Sequence, residues 1–166
     1  MQNPIAVEYL KTVRDRFNEV RQTAERTFAQ LSDEQLFWSP NAESNSIAII
    51  VKHISGNMHS RWTDFFAADG EKPNRDRDGE FILDATTRAD LLASWDNGWS
   101  IFLGVLERIT EADLLRTVYI RKQPHTVIAA IERQMYHYSY HVGQIVYIAK
   151  QLKDADWETL TIPRKQ

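Results

Sequence analysis

The longest uninterrupted pattern in this chain covers residues 126–152, a stretch that contains no proline. Its apolar residues recur at steps of three and four, which is the spacing of one face of an α-helix. The members of this face are Val127, Ile131, Met135, Tyr138, Val142, Ile145, Ala149 and Leu152. The pattern predicts a long helix that buries one face, and other helices have to cover that face.

Three further segments repeat this periodicity, at residues 4–31, 46 to about 68, and 87–109. Each begins with residues typical of helix starts, such as Asn3 followed by proline. The prolines, which all lie at predicted helix starts or outside helices, are Pro4, Pro40, Pro73, Pro124 and Pro163. The sequence therefore predicts an all-α fold, a four-helix bundle. Its predicted core includes Leu10, Phe17, Ile50, Ile54, Trp95, Trp99, Phe102, Ile131, Met135 and Val142.

The segments between these helices carry different patterns. Residues 69–84 are mostly charged and include two glycines and a proline, so we expect a solvated loop that can carry the chain across the bundle, and a binding loop is the alternative. Residues 117–125 favour extended structure and predict a small excursion before the last helix. We expect residues 1–154 to form one domain and residues 155–166 to form an extension that Trp157 anchors.

Composition limits the classes of function. The chain has 166 residues, of which 43% are apolar, and a formal charge of −3. Acidic residues outnumber lysine and arginine, so we expect no nucleic-acid partner. No apolar run approaches the roughly 18 residues that a membrane span requires, and no signal peptide is visible, so we expect a cytoplasmic protein without a membrane partner. The chain has no cysteine, which excludes disulfides and a thiolate nucleophile of its own.

His137 and His141 are the strongest candidates for a functional site. On a helix they lie one turn apart, with roughly 6 Å between their Cβ atoms, on the flank of the apolar face. Two imidazoles at this spacing can share one metal ion, and neutral imidazole is the commonest metal ligand. His53, on the margin of the apolar face of the second long helix, is the candidate for a third ligand. A structural, hydrogen-bonded role is the alternative for each histidine.

Three nitrogen ligands leave one coordination position for water, as in catalytic zinc sites. An all-imidazole site also binds nickel or copper, so the spacing does not identify the metal. Residues 137–141 read His-Tyr-Ser-Tyr-His rather than His-Glu-x-x-His, and no paired Glu-x-x-His motif occurs, so metalloprotease and di-iron sites are disfavoured. Glu132 and Asp64 are candidate acids, but the spacing selects neither, and the catalytic residues are unknown. His59 lies about 120° from His53 around its helix and cannot easily join the same site.

Four tyrosines accompany the histidines in the last predicted helix. Tyr138 falls on the apolar face, so we expect it in the core. Tyr136 and Tyr140 lie beyond the histidines, and Tyr147 follows two turns later. For these three, packing within the chain is the default interpretation. For Tyr136 and Tyr140, cover by a partner subunit or a substrate pocket is the alternative.

Two stretches of the sequence resemble the DinB-like superfamily, and the match covers nearly the whole chain. They read Ile-Val-Lys-His53-Ile-Ser-Gly-Asn and Ser-Tyr-His141-Val-Gly-Gln144-Ile. The resemblance implies a four-helix bundle of up-down-down-up topology, with a long connection between the second and third long helices. It also implies a homodimer and one divalent metal ion, nickel or zinc, held by His53, His137 and His141 with water completing the site. His125 has no counterpart in this motif.

The resemblance leaves the activity open, because the superfamily is functionally mixed. Some members resemble thiol-dependent transferases and isomerases that use bacillithiol or mycothiol. The first expectation is a metal-dependent S-transferase that joins a low-molecular-weight thiol cosubstrate, such as bacillithiol, to a small electrophile. The alternatives are a metal-binding module of structural or stress-related role without catalysis, and a metal-assisted hydrolase.

Overall fold

Four long helices and one short helix make up most of the protein in the computed structural model, which describes residues 3–83 and 87–162. The helices are α1 (Pro4–Phe28), α2 (Asp33–Phe37), α3 (Ile47–Trp62), α4 (Arg88–Arg108) and α5 (Val127–Lys153). Short 3₁₀ turns lie at Gly79–Phe81, Glu111–Asp113 and Asp154–Asp156. At the start of each long helix, a polar side chain accepts hydrogen bonds from backbone N–H groups of the first turn, which stabilises the helix end. These capping residues are Asn3, Ser46, Thr87 and Thr126.

The helix α3 ends earlier than predicted, at Trp62 instead of about Ala68. Thr63 has an extended backbone with a ψ of 130°, and Asp64 has a φ of 50°. A left-handed conformation cannot continue a right-handed helix, so the chain turns at this point. The predicted boundary was wrong because residues 57–69 contain no glycine or proline to mark the stop.

The apolar faces of the four long helices meet in one core. The most extensive contacts join α3 to α4 and α1 to α5, and α3 also packs on α5 and α1 on α4. Aromatic rings occupy the centre, where Phe17 lies edge-on to Phe102 with 4.5 Å between ring centroids. Nine of the ten predicted core residues are buried, and Met135 is partly buried at the margin. The mostly helical character and the position of the core are therefore as predicted.

The fold is mostly helical, as predicted, and its one departure from an all-α fold among the described residues is a two-stranded antiparallel hairpin that precedes α5. Its strands are β1 (Thr117–Ile120) and β2 (Gln123–Thr126). The linking residues Arg121 and Lys122 have φ values of 53° and 62°, as in a two-residue hairpin turn of type I′. Both backbone N–H groups donate to the carboxylate of Asp69, at 2.9 and 2.6 Å. The predicted extended excursion is thus confirmed as a hairpin held against the connection that follows α3.

Part of the connection between α3 and α4 packs against the helices, so the prediction of a solvated loop holds for exposed residues such as Asn74 and Asp78 but not for the whole segment. Its 3₁₀ turn lies against α3, and the Glu80 side chain in this turn is only 7% exposed. The Arg75 side chain is 5% exposed and forms an ion pair with Glu80 at 2.7 Å. Because buried charges of this kind are tolerated only in pairs, the polarity of the segment alone does not reveal that it packs.

The residues after α5 dock on α1. Trp157 packs against the core, as predicted. The side chain of Gln30 bonds to both backbone groups of Glu158, and Arg26 donates to the carbonyl of Leu160 at 2.8 Å. Trp157 is therefore one of several anchors of this segment.

Some predictions concern residues outside the described ranges. They are Asp84 as the end of the connection, and Pro163 with the last residues of the predicted extension. Within the described ranges, no helix combines the length and the apolar character that crossing a membrane requires.

Candidate metal centre

The three histidines predicted as metal ligands lie together, although they are far apart in sequence. His53 is on α3, and His137 and His141 are one turn apart on α5. The Nε2 atom of His137 lies 3.2 Å from Nε2 of His53 and 3.1 Å from Nε2 of His141. All three donor atoms are within 4.8 Å of one another. The packing of α3 on α5 therefore completes the group that the spacing on α5 begins.

Two of the rings are oriented by hydrogen bonds from their other nitrogen. Nδ1 of His53 lies 2.9 Å from Oε2 of Glu80, and Nδ1 of His141 lies 2.8 Å from Oε1 of Gln144, whose amide is assigned with its oxygen toward the ring. A carboxylate and an amide oxygen only accept hydrogen bonds, so both Nδ1 atoms carry the hydrogen. In the neutral rings, the Nε2 atoms of His53 and His141 therefore present lone pairs to Nε2 of His137.

This arrangement fits a bound cation. The Nε2 atom of His137 carries at most one hydrogen, so it cannot donate to both neighbouring lone pairs. A divalent ion satisfies the lone pairs of all three rings at once. In a tetrahedral zinc site, bonds of about 2.0–2.1 Å place neighbouring nitrogen ligands about 3.3 Å apart, close to the 3.1 and 3.2 Å found here. The cluster can hold a metal ion, and three imidazoles do not specify which one.

Burial keeps the imidazoles of His137 and His141 neutral near pH 7. Burial lowers the pKa of His137 to about 3, and the nearby His141 and His53 add to this effect. Burial also lowers the pKa of His141, although its hydrogen bond to Gln144 acts in the opposite direction. Because a metal ion binds the neutral ring, protons compete only weakly for these nitrogens at physiological pH.

Glu80 is held from two sides. It accepts a hydrogen bond from His53 and two from Arg75, whose Nε and Nη2 atoms lie 2.7 and 2.8 Å from its oxygens. Burial raises the pKa of Glu80, but the bonds from His53 and Arg75 outweigh burial and hold this pKa below its usual value. The ionised carboxylate fixes the tautomer and the orientation of the His53 ring, as carboxylates commonly do behind metal-binding histidines.

Gly56 gives Glu80 the room to reach the imidazole. A Cβ atom at this position would overlap Oε1 of Glu80 and would lie 2.7 Å from its Cδ atom. His53 precedes Gly56 by three residues and shares its face of α3. The absence of a side chain at Gly56 thus allows the 3₁₀ turn to approach α3 closely enough for the contact.

A cavity of about 710 Å³ lies beside the histidines, with His53 and His137 in its wall. Five arginines also line it, namely Arg61, Arg75, Arg77, Arg121 and Arg133. Among the described residues of the wall, Glu132 is the one carboxylate, and it accepts a hydrogen bond from the Tyr9 hydroxyl at 2.8 Å. The wall next to the candidate metal centre is therefore predominantly cationic.

The other predicted candidates lie outside the histidine group. His59 is exposed on another side of α3, as its angular position predicts. His125 lies on β2 and lines the cavity without joining the three-histidine cluster. Asp64 is exposed beyond the end of α3, and Glu132 is engaged by Tyr9. The structure thus gives neither predicted acid a place against the three Nε2 atoms.

The tyrosines of α5 divide into one core residue and three exposed ones. Tyr138 is buried as predicted, and its hydroxyl accepts a hydrogen bond from Nε1 of Trp62 at 3.1 Å. Tyr136, Tyr140 and Tyr147 are 75%, 54% and 64% exposed, so packing within the chain, the default prediction, does not cover them.

Sequence reasoning missed the residues that support the ligands. Gln144 had a signal, because it follows His141 by three residues on the same helix face. Glu80 and Arg75 had none, because they belong to a polar connection whose packing depends on the three-dimensional path of the chain. Arg61 lies two turns after His53 on α3, and nothing in the spacing distinguishes it from a solvated charge.

The fold and the site define a mostly helical protein with a candidate three-histidine metal centre. The chain belongs to the family described as "Protein of unknown function (DUF1572)", whose model matches residues 4–166. A comparison with curated proteins finds no match. The family description states no activity, so the functional inference rests on the geometry of the site.

Proposed function

We propose that the protein is a metal-dependent enzyme of the DinB-like type, with one divalent ion, nickel or zinc, held by His53, His137 and His141. The observation that carries this proposal is the convergence of three Nε2 atoms, two of which present lone pairs because their Nδ1 atoms donate elsewhere. Four long helices and the extended connection after α3 support the up-down-down-up bundle of that superfamily.

The favoured reaction is the transfer of a low-molecular-weight thiol, such as bacillithiol, to a small electrophile. The thiol releases its proton to solvent, its sulfur bonds to the electrophilic carbon, and the leaving group on that carbon departs with the bonding electron pair. A divalent ion supplies Lewis acidity, which lowers the pKa of a neighbouring thiol. The chain has no cysteine, so the thiol comes from a cosubstrate. The cavity of about 710 Å³ beside His53 and His137 is within the range of roughly 300–1,000 Å³ typical of small-molecule sites. Glu80 fixes the orientation of the His53 ring, and Gln144 fixes that of the His141 ring.

A second candidate is a metal-binding module without turnover. This role is favoured because the one carboxylate in the described part of the cavity wall, Glu132, already accepts a hydrogen bond from the Tyr9 hydroxyl. In this role the ion links α3 to α5 and stabilises the fold. The same observation disfavours a metal-assisted hydrolase, because such an enzyme needs a general base at the site.

An assay with thiols and a chromogenic electrophile separates the two candidates. Protein loaded with zinc or nickel is mixed with bacillithiol or glutathione, and thiol consumption is followed. The enzyme proposal predicts a metal-dependent rate that is lost in His141→Ala and kept in the exposed control His59→Ala. A rate no higher than that of free metal and free thiol, together with a large fall in melting temperature on chelation, supports the binding module instead.

A further inference from the structure

We infer that the cavity beside the histidines binds a small molecule with an oxyanion group, a carboxylate or a phosphate, and that Arg61 is its principal contact. The oxyanion is then a substrate class for the proposed enzyme. Only its role as substrate depends on the proposed function. Anion binding itself follows from the arginines of the cavity and needs no metal.

Arg61 carries unsatisfied hydrogen-bond donors inside the protein. The residue is 3% exposed and lines the cavity, and its Nε and Nη1 atoms are buried without an acceptor among the described residues. Its one ion pair within the described ranges, from Nη2 to Glu71, spans 3.6 Å and is too long for a hydrogen bond. A buried charge without acceptors is unfavourable, and an oxyanion in the cavity supplies both acceptors and opposite charge.

Burial lowers the pKa of Arg61 to about 10, while the charge of Glu71 acts in the opposite direction. The guanidinium therefore keeps its positive charge at pH 7, where it attracts an anion. A neutral ligand gains less at this position, because it lacks the Coulomb attraction that an anion adds to its hydrogen bonds with the guanidinium.

The whole cavity wall has an excess of positive charge. Glu71 pairs with three of the five arginines at once. Arg133 has no ion pair among the described residues. Even with Glu80 and Glu132 included, guanidinium groups outnumber carboxylates around the cavity. Arginine matches the planar geometry of carboxylate and phosphate oxygens, so the excess favours these groups.

A buried acceptor in the same wall adds a requirement on the ligand. Gln134 is 1% exposed, and its Oε1 atom has no donor among the described residues. A hydroxyl or an ammonium group on the ligand can satisfy this oxygen while the oxyanion contacts Arg61. We therefore expect hydroxylated carboxylates, or phosphate esters that keep a free hydroxyl group, to bind more tightly than plain anions.

Calorimetric titration of the metal-free protein with inorganic phosphate, malate and succinate tests the inference. We expect saturable binding of phosphate or malate, with malate tighter than succinate. Arg61→Gln should weaken binding about tenfold or more, and Arg133→Gln several-fold. Arg108→Gln, an exposed arginine on α4 outside the cavity, is the matched control and should bind as the wild type does. Preference for phosphate or for malate identifies the oxyanion.

Arg61 is buried, so its substitution can also affect folding, and circular dichroism checks each variant. If Arg61→Gln does not fold, the anion affinity of Arg133→Gln, which changes an exposed side chain, decides between the outcomes. The inference is overturned if neither anion binds saturably, or if folded arginine variants keep wild-type affinity. It is also overturned if anions bind only to metal-loaded protein and if, among the variants, only His137→Ala abolishes that binding. If the protein takes up no metal but still binds anions through its arginines, the anion site is supported and the proposed metal-dependent enzyme is rejected.

Discussion

Glu80 is not one of the three histidines, but it orients the His53 ring of the candidate metal centre. Its carboxylate is buried and lies between the His53 imidazole and the Arg75 guanidinium. Burying a carboxylate is costly, and the hydrogen bonds from both neighbours offset that cost. The result is an ionised group that holds one imidazole with its Nε2 lone pair toward the other two rings.

Glu80→Gln tests this role. The amide keeps the size of the side chain but removes the negative charge, so we expect metal affinity to fall about tenfold to a hundredfold. Competition with a fluorescent zinc chelator measures the change. Glu71→Gln is the matched control, because Glu71 also pairs with Arg75 but does not contact a histidine. Equal zinc affinities for Glu80→Gln and the wild type would show that the carboxylate does not tune the site.

The three histidines of the candidate metal centre were predictable from the sequence because the position of each depends on helix geometry. The four-residue spacing of His137 and His141 fixes their relative position on any helix, and His53 lies at the margin of a clear apolar face. Glu80 and Arg75 were not predictable, because their burial depends on a folded connection without periodicity. Histidines on regular helices can be predicted from the local sequence pattern, whereas Glu80 and Arg75 come from a loop that is distant in sequence.

At the scale of elements, the contact between α3 and the following connection positions Glu80. Gly56→Ala should push the 3₁₀ turn away from α3, because the added methyl group meets the Glu80 carboxylate. We expect a loss of about 1–3 kcal/mol in the free energy of unfolding, together with weaker zinc binding. Denaturant titration and chelator competition measure the two effects.

Gly104→Ala provides the control for this substitution. A Cβ atom at Gly104 in α4 meets no atom within 4 Å, so alanine should be neutral or should stabilise the helix by up to about 1 kcal/mol. The account of the contact fails if Gly56→Ala matches Gly104→Ala in both stability and zinc affinity.

The element boundaries show where the sequence was informative. Helix starts were predictable, because Asn3, Ser46 and Thr87 are capping residues whose side chains bond the first turn. The end of α3 was not, because Asp64 adopts a left-handed conformation without a glycine to indicate it. The hairpin was visible only as a preference for extended structure, since Asp69, which binds its turn, lies about fifty residues earlier.

At the scale of the whole molecule, we propose that the protein is a homodimer. The helix α5 leaves three tyrosines more than half exposed, and the rings of Tyr136 and Tyr140 stack with 6.2 Å between centroids. Exposed aromatic groups of this kind are frequent in interfaces between subunits. Sedimentation equilibrium at micromolar concentration should give about twice the chain mass of 19.3 kDa. A single species at the chain mass would rule out the dimer at that concentration.

The most direct test of the account is the metal content of purified protein after loading with zinc or nickel and removal of the excess. Elemental analysis should find one divalent ion per chain in the wild type and in the exposed control His59→Ala. Because His137 lies between the other two ligands, His137→Ala should retain only a small fraction of this amount. Wild-type stoichiometry in a folded His137→Ala variant would contradict the proposed centre.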